Sequence, residues 1–428
     1  MNSDGCSSRS LESTTLMPEI AIQTGLLDGQ AGTELADRPL TRRSAWGFKG
    51  VSVRVLRSIA ELESLRPFWS RFGGRRDSDL DVYLATLQSL GSNVRPHVIA
   101  LYRDGQPEAI LAGRYEDTVL RMHLGYFPVV RPRARLLVFV QGAARGKLDA
   151  TNIALLLRGL KDSLRQGDAD LALFHYLDVD SELYRQAACG FSFLTRDAFP
   201  DQDPHWHRIL APGTGSAWQG FNGKHRADLK KRLKHLAAEC AGEIRVRAYN
   251  TEDDLDALFR DVEAIASKTY QRRLGVGFAD TPVTRACCRV FAQKRWLRAY
   301  VLFAGDTPCA FLAGSLSDGS FCGDFLGYDS SLRKYSPGTY LLIWALDEIC
   351  RQGAREIDFG CGAGEYKERF GTSCRQRAHV FIAAPTCQGV MLNMFRAAAV
   401  AVNKLGRHAL QRTRLLPRAR IFLRRPAN

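Results

Sequence analysis

The sequence predicts a mixed α/β fold, α+β in layout, made of two halves that repeat one order of elements. Three observations predict it. Short apolar runs alternate as strands and pair across polar turns, runs at helical spacing lie between them, and the same succession returns after a segment rich in Asp, Pro and Gly at 200–215. A chain of 428 residues also exceeds what one hydrophobic core organises, so two domains with tails is the expected plan.

Residues 1–48 mix Ser, Thr and Gly with short apolar pieces and no sustained period, the pattern of a mobile arm. Order begins near Gly50. In the first half, 49–205, a strand starts at Val51, and Leu62, Leu65 and Phe68 follow at helical spacing. Runs 97–102 and 109–115 flank a polar turn at 104–107 and read as a hairpin. A strand at 136–140, a helix at 151–164 and a strand at 170–176 complete the half.

The second half, 212–386, opens with a basic helix at 218–239 and a strand at 243–248. Thr251 is placed to cap a helix running to about 269, with Asp253 and Asp254 in its positive first turn. A hairpin at 299–303 and 308–315, a strand at 319–328, a helix at 338–352 and strands at 356–359 and 379–383 follow. A basic helix or tail, 387–428, ends the chain.

Composition narrows the function classes. With 45% hydrophobic and 25% charged residues the chain is of ordinary globular type, which excludes a wholly disordered protein. No run of roughly 18 uncharged apolar residues occurs, and the first residues carry Asp4, Glu12, Glu19 and Asp28 without a basic-then-apolar leader, so a cytoplasmic location is expected. The eleven cysteines form no CxxC, and Cys287 and Cys288 point apart on any regular element; they read as thiols of a reducing compartment. His205 and His207 have no matching Cys or His cluster, so they are expected as solvated loop residues and no metal site is expected.

The net charge of +15 is concentrated. From residue 387 onward there are nine Lys or Arg and no Asp or Glu, and 224–234 sets six cations against Asp228. Such blocks suit nucleic acid, acidic lipid headgroups or a phosphorylated ligand; a solvated helix face explains the tail equally well.

The chemistry concentrates between 325 and 370. A strand ends near Tyr328, and a loop carrying Arg333, Lys334 and Ser336 leads through Pro337 to Gly338 and Thr339, where an apolar helix begins. Free N–H groups and a positive dipole end flanked by two cations make a phosphate cradle there. On the next strand Asp358 precedes Gly360, Gly362 and Gly364, and Tyr366 and Lys367 open a short polar helix. A carboxylate, a phenol and an amine beside such a cradle have the makings of a site.

Three motifs in order, KHRADLKKRLKHL, KYSPGTYLL and DFGCGAGEYKERFG, give the span 224–384 a resemblance to the GNAT-type acyltransferase domain of CelD-like cellulose-biosynthesis proteins, relatives of the FemAB peptidoglycan aminoacyltransferases. The resemblance implies tandem GNAT-like domains, each a mostly antiparallel twisted sheet flanked by helices, the first of them degenerate. It implies that strands 319–328 and 356–359 splay to admit the pantetheine arm of acyl-CoA, acetyl-CoA above all, with the pyrophosphate on the N–H groups of Ser336, Gly338 and Thr339 beside Arg333 and Lys334, and with no metal. The loop departs from the family pattern in holding one glycine between Arg333 and Thr339, and FemAB relatives take aminoacyl-tRNA instead.

In a GNAT-type reaction an amine attacks the thioester directly. Asp358, or Asp324 on the neighbouring strand, is then the candidate base, Tyr366 the candidate acid, and Lys367 a binder of an anionic group. Arg226 and Lys230, four apart on one helix face, would meet an acidic acceptor such as a nucleotide-linked sugar. The structural alternatives are that Asp358 caps its loop, Tyr366 packs and Lys367 pairs with a neighbouring Glu. Rival functions are a tRNA-dependent aminoacyl transferase and a non-enzymatic polyanion binder on an inactive core. For the tail, Met391, Leu392, Met394, Phe395, Val400, Val402 and Leu405 interleave with cations, as in a peripheral membrane helix. A role in making a cell-surface polysaccharide follows from the resemblance alone.

Overall fold

The computed structural model describes residues 45–48, 50–72, 75–124, 127–210, 223–240, 242–273, 277–362 and 364–412; the expected arm before residue 45 and the end of the basic tail lie outside the described residues. The first half contains β1 (Ala45–Phe48), β2 (Val51–Leu56), α1 (Ile59–Ser64), α2 (Arg66–Trp69), α3 (Leu80–Ser89), β3 (Val94–Arg103), β4 (Gln106–Val119), β5 (Met122–Leu124), β6 (Phe127–Val130), β7 (Arg133–Phe139), β8 (Ala144–Gly146), α4 (Ala150–Arg165), β9 (Leu171–Asp178), α5 (Glu182–Cys189) and β10 (Asp201–Ile209). The second contains α6 (Gly223–Glu239), β11 (Ile244–Tyr249), α7 (Leu255–Ala266), α8 (Tyr270–Arg273), α9 (Pro282–Gln293), β12 (Leu297–Ala304), β13 (Thr307–Ser317), β14 (Ser320–Tyr328), α10 (Pro337–Arg351), β15 (Glu356–Cys361), α11 (Glu365–Phe370) and β16 (Ser373–Ala383), with α12 (Cys387–Arg412) after it.

The order β2-β3-β4-β7-α4-β9-α5-β10 returns as β11-β12-β13-β14-α10-β15-α11-β16, so the expected repetition is structural. The sheet is mostly antiparallel, with parallel pairing where each half crosses over, β7 with β9 and β14 with β15. Helices cover both faces. In the first half α4 and α5 pack on one side and α1 to α3 on the other; in the second α6 and α10 oppose α7 and α9. Strands buried on both faces read as continuous apolar runs, which is why β3, β12 and β13 are legible in the sequence.

The halves share one sheet because they exchange their last strands. Across the centre the order is β7-β9-β16-β10-β15-β14. The final strand of the first half, β10, pairs with β15 and β16, while β16 pairs with β9. Val380 and Ile382 of β16 are fully buried in the first half's core with Phe139 and Phe174, and Trp206 of β10 packs against the second half's core. Burying each such aliphatic side chain contributes about 1.5–3 kcal/mol, so each half draws core stability from the other's strand.

Two sequence expectations are corrected here. The 200–215 segment is not wholly a connector: Asp201–Ile209 is a central strand, and His205 and His207 are buried on it rather than solvated. Pro204 argues against a central strand because it has no N–H to give. The pairing accommodates it beside a register shift at His205/His207, and its carbonyl accepts the Gly362 N–H at 2.9 Å. Second, Thr251 does not cap α7. The N-cap residue is Asp254, so Asp253 and Asp254 precede the first turn, whose acid is Asp256; the Asp254 carboxylate caps no helix N–H and instead accepts the Thr251 hydroxyl at 2.7 Å and the Asn250 and Thr251 N–H groups, folding the approach to the helix. Helix α9, which the sequence reading passes over, carries the start signal Thr281-Pro282, with the Thr281 hydroxyl accepting the Thr284 N–H at 3.1 Å.

Candidate active site

Strands β14 and β15 run together for three positions, Ser320 with Glu356, Phe321 with Ile357 and Cys322 with Asp358, and then part. The divergence has a local cause. A register shift at Ala313/Gly314 bends β14, and Gly314 is required because a Cβ there would stand 2.1 Å from the Cys322 carbonyl oxygen. On the other side Gly360 and Gly362 adopt positive φ of 74° and 93°, turning the chain away at the end of β15. Where the strands part lies a cavity of about 400 Å³, with Asp358, His205, Cys322 and Gly323 on its wall.

Asp358 is the best-connected group in it. Its carboxylate accepts from His205 Nε2 at 2.5 Å and from the Gly360 N–H at 2.7 Å. Burial by itself would raise the carboxyl pKa, but the His205 hydrogen bond, the electrostatic pull of the two imidazoles and the Gly360 N–H outweigh it and hold the value at about 2. His205 is 1% exposed, and its buried Nδ1 has no hydrogen-bond partner among the described residues. With Nε2–H assigned to Asp358, Nδ1 carries the free lone pair. The His207 ring lies tilted against it with centroids 4.2 Å apart, shares a hydrogen bond through Nδ1 with Glu356 at 2.9 Å, and is driven toward its neutral form chiefly by burial.

The first half furnishes the opposite wall. Arg76 and Asp77 stand on a 3-10 turn (Arg76–Ser78), Arg114 on β4 and His175 on β9. Arg76 pairs with Asp324, and Arg145 Nη2 donates to the Asp77 carbonyl at 2.7 Å. Burial raises the Asp77 carboxyl, Arg76 opposes this, and Asp324 and Asp358 raise it further. The cavity thus holds one carboxylate pushed down and another pushed up, an arrangement suited to separate basic and acidic tasks. His175 meets His379 through their Nδ1 atoms at 3.0 Å, and burial first, then the charges of His379 and Arg114, lower its pKa to about 3.

The other sequence-derived candidates scatter around this centre. Asp324 is on β14 in its ion pair with Arg76. Tyr366 lies on α11, exposed, edge-on to Phe359 at 6.4 Å. Lys367 Nζ donates to the Cys361 carbonyl, pinning the turn after β15. Lys230 is exposed on α6, and the Arg226 side chain lies outside the described residues. At the start of α10, Ser336 adopts φ 54°, ψ 44°, its side chain caps no N–H, and the first intrahelical bond runs from Tyr340 N–H to the Ser336 carbonyl. The N–H groups of Gly338 and Thr339 therefore lack intrahelical acceptors. Gly338 is needed because a Cβ would press on the Tyr328 ring at 3.0 Å. Nearby, Arg232 donates to the Lys334 carbonyl and the Ser336 hydroxyl, and Lys334 pairs with Glu239 at 3.0 Å.

Residues 223–368 match the family model described as an acetyltransferase (GNAT) domain. The match covers about a third of the chain and places a GNAT-type acyltransferase domain in the second half, with α6, the α10 turn and β15 all inside it. Among solved structures the chain is similar to FemX (12% identity, 75% of this chain and 95% of that chain, TM-score 0.47). It is also similar to L-PGS from Bacillus licheniformis (15%, 78% and 96%, 0.46) and to a tandem GNAT protein from the clavulanic acid biosynthesis pathway (12%, 78% and 99%, 0.43). These likenesses concern the chain path alone. No curated protein matches the sequence.

His205, His207, Asp77 and Arg76 are not among the site residues the sequence suggests. The histidines did leave a signal, since Asp203, His205 and His207 at spacing two share one face of a strand. No further Cys or His was expected beside the two histidines; what the fold brings to them is Asp358, and donor atoms of His205, His207 and Asp358 lie within 4.8 Å of one another, near enough to hold a metal ion. Asp77 and Arg76 left none, because nothing local links a turn at 76–78 to a strand end at 358.

Proposed function

We propose that the chain is an acyl-CoA-dependent N-acyltransferase that passes an acyl group, acetyl in the first instance, to an amine acceptor. The observation that carries this reading is the parting of β14 from β15 after Cys322 and Asp358, together with a start of α10 that leaves two N–H groups without intrahelical acceptors. The Gly338 and Thr339 amides and the α10 dipole suit a diphosphate, and the gap between the strands suits an extended arm that delivers a thioester to the cavity.

The residues of the cavity then divide the proton work. The acceptor nitrogen attacks the thioester carbonyl carbon; an N–C bond forms and the C–S bond breaks. The hydrogen-bonded His205–Asp358 pair on the cavity wall takes the proton that the nitrogen sheds, the carboxylate orienting the ring and offsetting the positive charge the pair acquires. Asp77, whose carboxyl burial chiefly raises above its ordinary value, is assigned the return of a proton to the departing thiolate. Cys322 does not form an acyl intermediate in this scheme, because burial first, with Asp358, Asp77 and Asp324 nearby, pushes its thiol well up and away from the reactive thiolate. The CelD-like motifs favour an acceptor in cell-envelope or exopolysaccharide synthesis.

The test combines acetyl-CoA and transfer RNA thermal shifts at low and high salt with release of free CoA in the presence of amino sugars and their nucleotide conjugates. Stabilisation by acetyl-CoA that survives salt, with amine-dependent CoA release, is expected. Salt-sensitive stabilisation by transfer RNA without any response to acetyl-CoA would replace the reading with tRNA-dependent aminoacyl transfer.

A further inference from the structure

Helix α12 is turned inside out. The side it presents to the body is polar: Asn393 and Arg396, 5% and 4% exposed, face inward with Leu392. Asn393 Nδ2 donates to the carbonyls of Leu194 and Arg196 at 3.1 and 2.9 Å, Arg396 pairs with Asp197 over the Phe381 ring, and Gln388 reaches Asp170. The side it presents outward is apolar: Met391, Met394, Phe395, Val402 and Leu405 are each at least half exposed and recur at intervals of three, four and seven. Phe193 and Leu194, 76% and 54% exposed, adjoin this stripe through the Asn393 contact.

A surface helix ordinarily buries its apolar stripe and solvates its polar one. Here the inward hydrogen bonds and ion pair fix the helix with the stripe outward, so the orientation is built and the stripe awaits an apolar partner. Charge selects which one. Besides the inward Arg396, the chain from Cys387 onward holds eight Lys or Arg and no Asp or Glu. A second copy docked on this face would bring two such acid-free segments together. A nucleic acid would meet the cations and leave the stripe in water. An anionic bilayer surface meets both, taking methionine and phenylalanine side chains into the acyl boundary and the cations at the headgroups.

We propose that α12 and the adjoining Phe193-Leu194 tip seat the protein on anionic lipid membrane surfaces. The proposal does not depend on the acyl-transfer reading. The experiment is co-sedimentation of the full chain with phosphatidylcholine vesicles, with and without about one-third phosphatidylglycerol, at two salt concentrations. Binding only to the anionic vesicles, weakening with salt, is expected. A Met394→Asp, Phe395→Asp double variant should lose about tenfold or more in affinity with unchanged thermal unfolding, since both side chains are exposed. An Arg418→Gln, Arg420→Gln, Arg424→Gln, Arg425→Gln variant should lose comparably on anionic vesicles. Equal binding to neutral vesicles, or an unaffected aspartate variant, overturns the proposal. So does a wild-type dimer that the aspartates dissociate, or tight RNA binding indifferent to them in a chain that ignores vesicles.

Discussion

Helices α4 and α10 occupy the same place in the two halves, each crossing between parallel strands, and they begin in opposite ways. The α4 start is closed by its own chain: Asp149 caps it, accepting the Asn152 N–H at 2.9 Å, and puts a carboxylate at the positive end. The α10 start has Ser336 in a left-handed conformation, no side-chain cap, and Arg333, Lys334 and Arg232 around it. The strand ends differ in the same sense. Beyond α4, β9 presents His175, paired with His379 and held neutral by burial, whereas beyond α10, β15 presents an ionised Asp358 bound to His205. One half has spent its helix terminus on stability and the other has kept it open. The closed half nevertheless supplies Arg76, Asp77 and Arg114 to the cavity of the open one, which is a reason for the two to stay joined.

The largest effect that could break this comparison is on the reaction rate. His205→Ala and Asp358→Asn should each lower kcat by about 10²–10⁴-fold, with folding intact by circular dichroism, because they remove the proton acceptor or its orientation. His175→Gln at the corresponding place in the first half should change kcat by less than about tenfold, on the same principle. Equal losses at both places would mean that His175, on the opposite wall of the cavity, takes part in the chemistry as well.

Next in size is Asp77→Asn, expected to lower kcat about 10–100-fold while leaving the KM for the acyl donor in place. Tyr366→Phe should alter neither beyond about twofold, since its ring is exposed on α11. The helix starts are tested by exchanging their chemistry. Thr339→Glu should raise the KM for acetyl-CoA about five- to tenfold through repulsion at the α10 terminus. Asp149→Ala should cost about 1 kcal/mol in urea unfolding and leave that KM alone. Should Asp149→Ala instead weaken the donor, α4 is not the closed helix described above.

The smallest expected effects concern acid and metal. The folded-state pKa of Asp358, about 2, lies below its usual value of 3.8. Its contribution to stability is therefore fully present above about pH 4 and is lost as pH falls through about 2. His205→Ala removes the principal interaction that lowers it, so acid unfolding of that variant should begin at higher pH than in the wild type. A strong chelator should leave the rate unchanged. Loss of activity restored by zinc would make His205 and His207 ligands and would require a new assignment of the base.

Much of this layout is legible residue by residue. The alternating and continuous apolar runs give β3, β4, β12 and β13, the stripe through Ile153, Leu156, Leu157 and Leu160 gives α4, and Pro337-Gly338 marks the start of α10, because strand and helix periods depend on neighbours only a few positions away. Asp358 could be singled out for the same reason, standing at the end of an apolar strand before a run of glycines. The exchange of β10 and β16, the burial of His205 and the arrival of Asp77 opposite Asp358 were decided by tertiary structure. They join positions more than 150 residues apart, and Pro204 masks the central strand with a signal that locally means a turn. The amino-acid order alone determines which segments can be strands and helices and where charge accumulates; which strand lies beside which, and so which groups share one cavity, is settled by long-range pairing and by burial that no local pattern encodes.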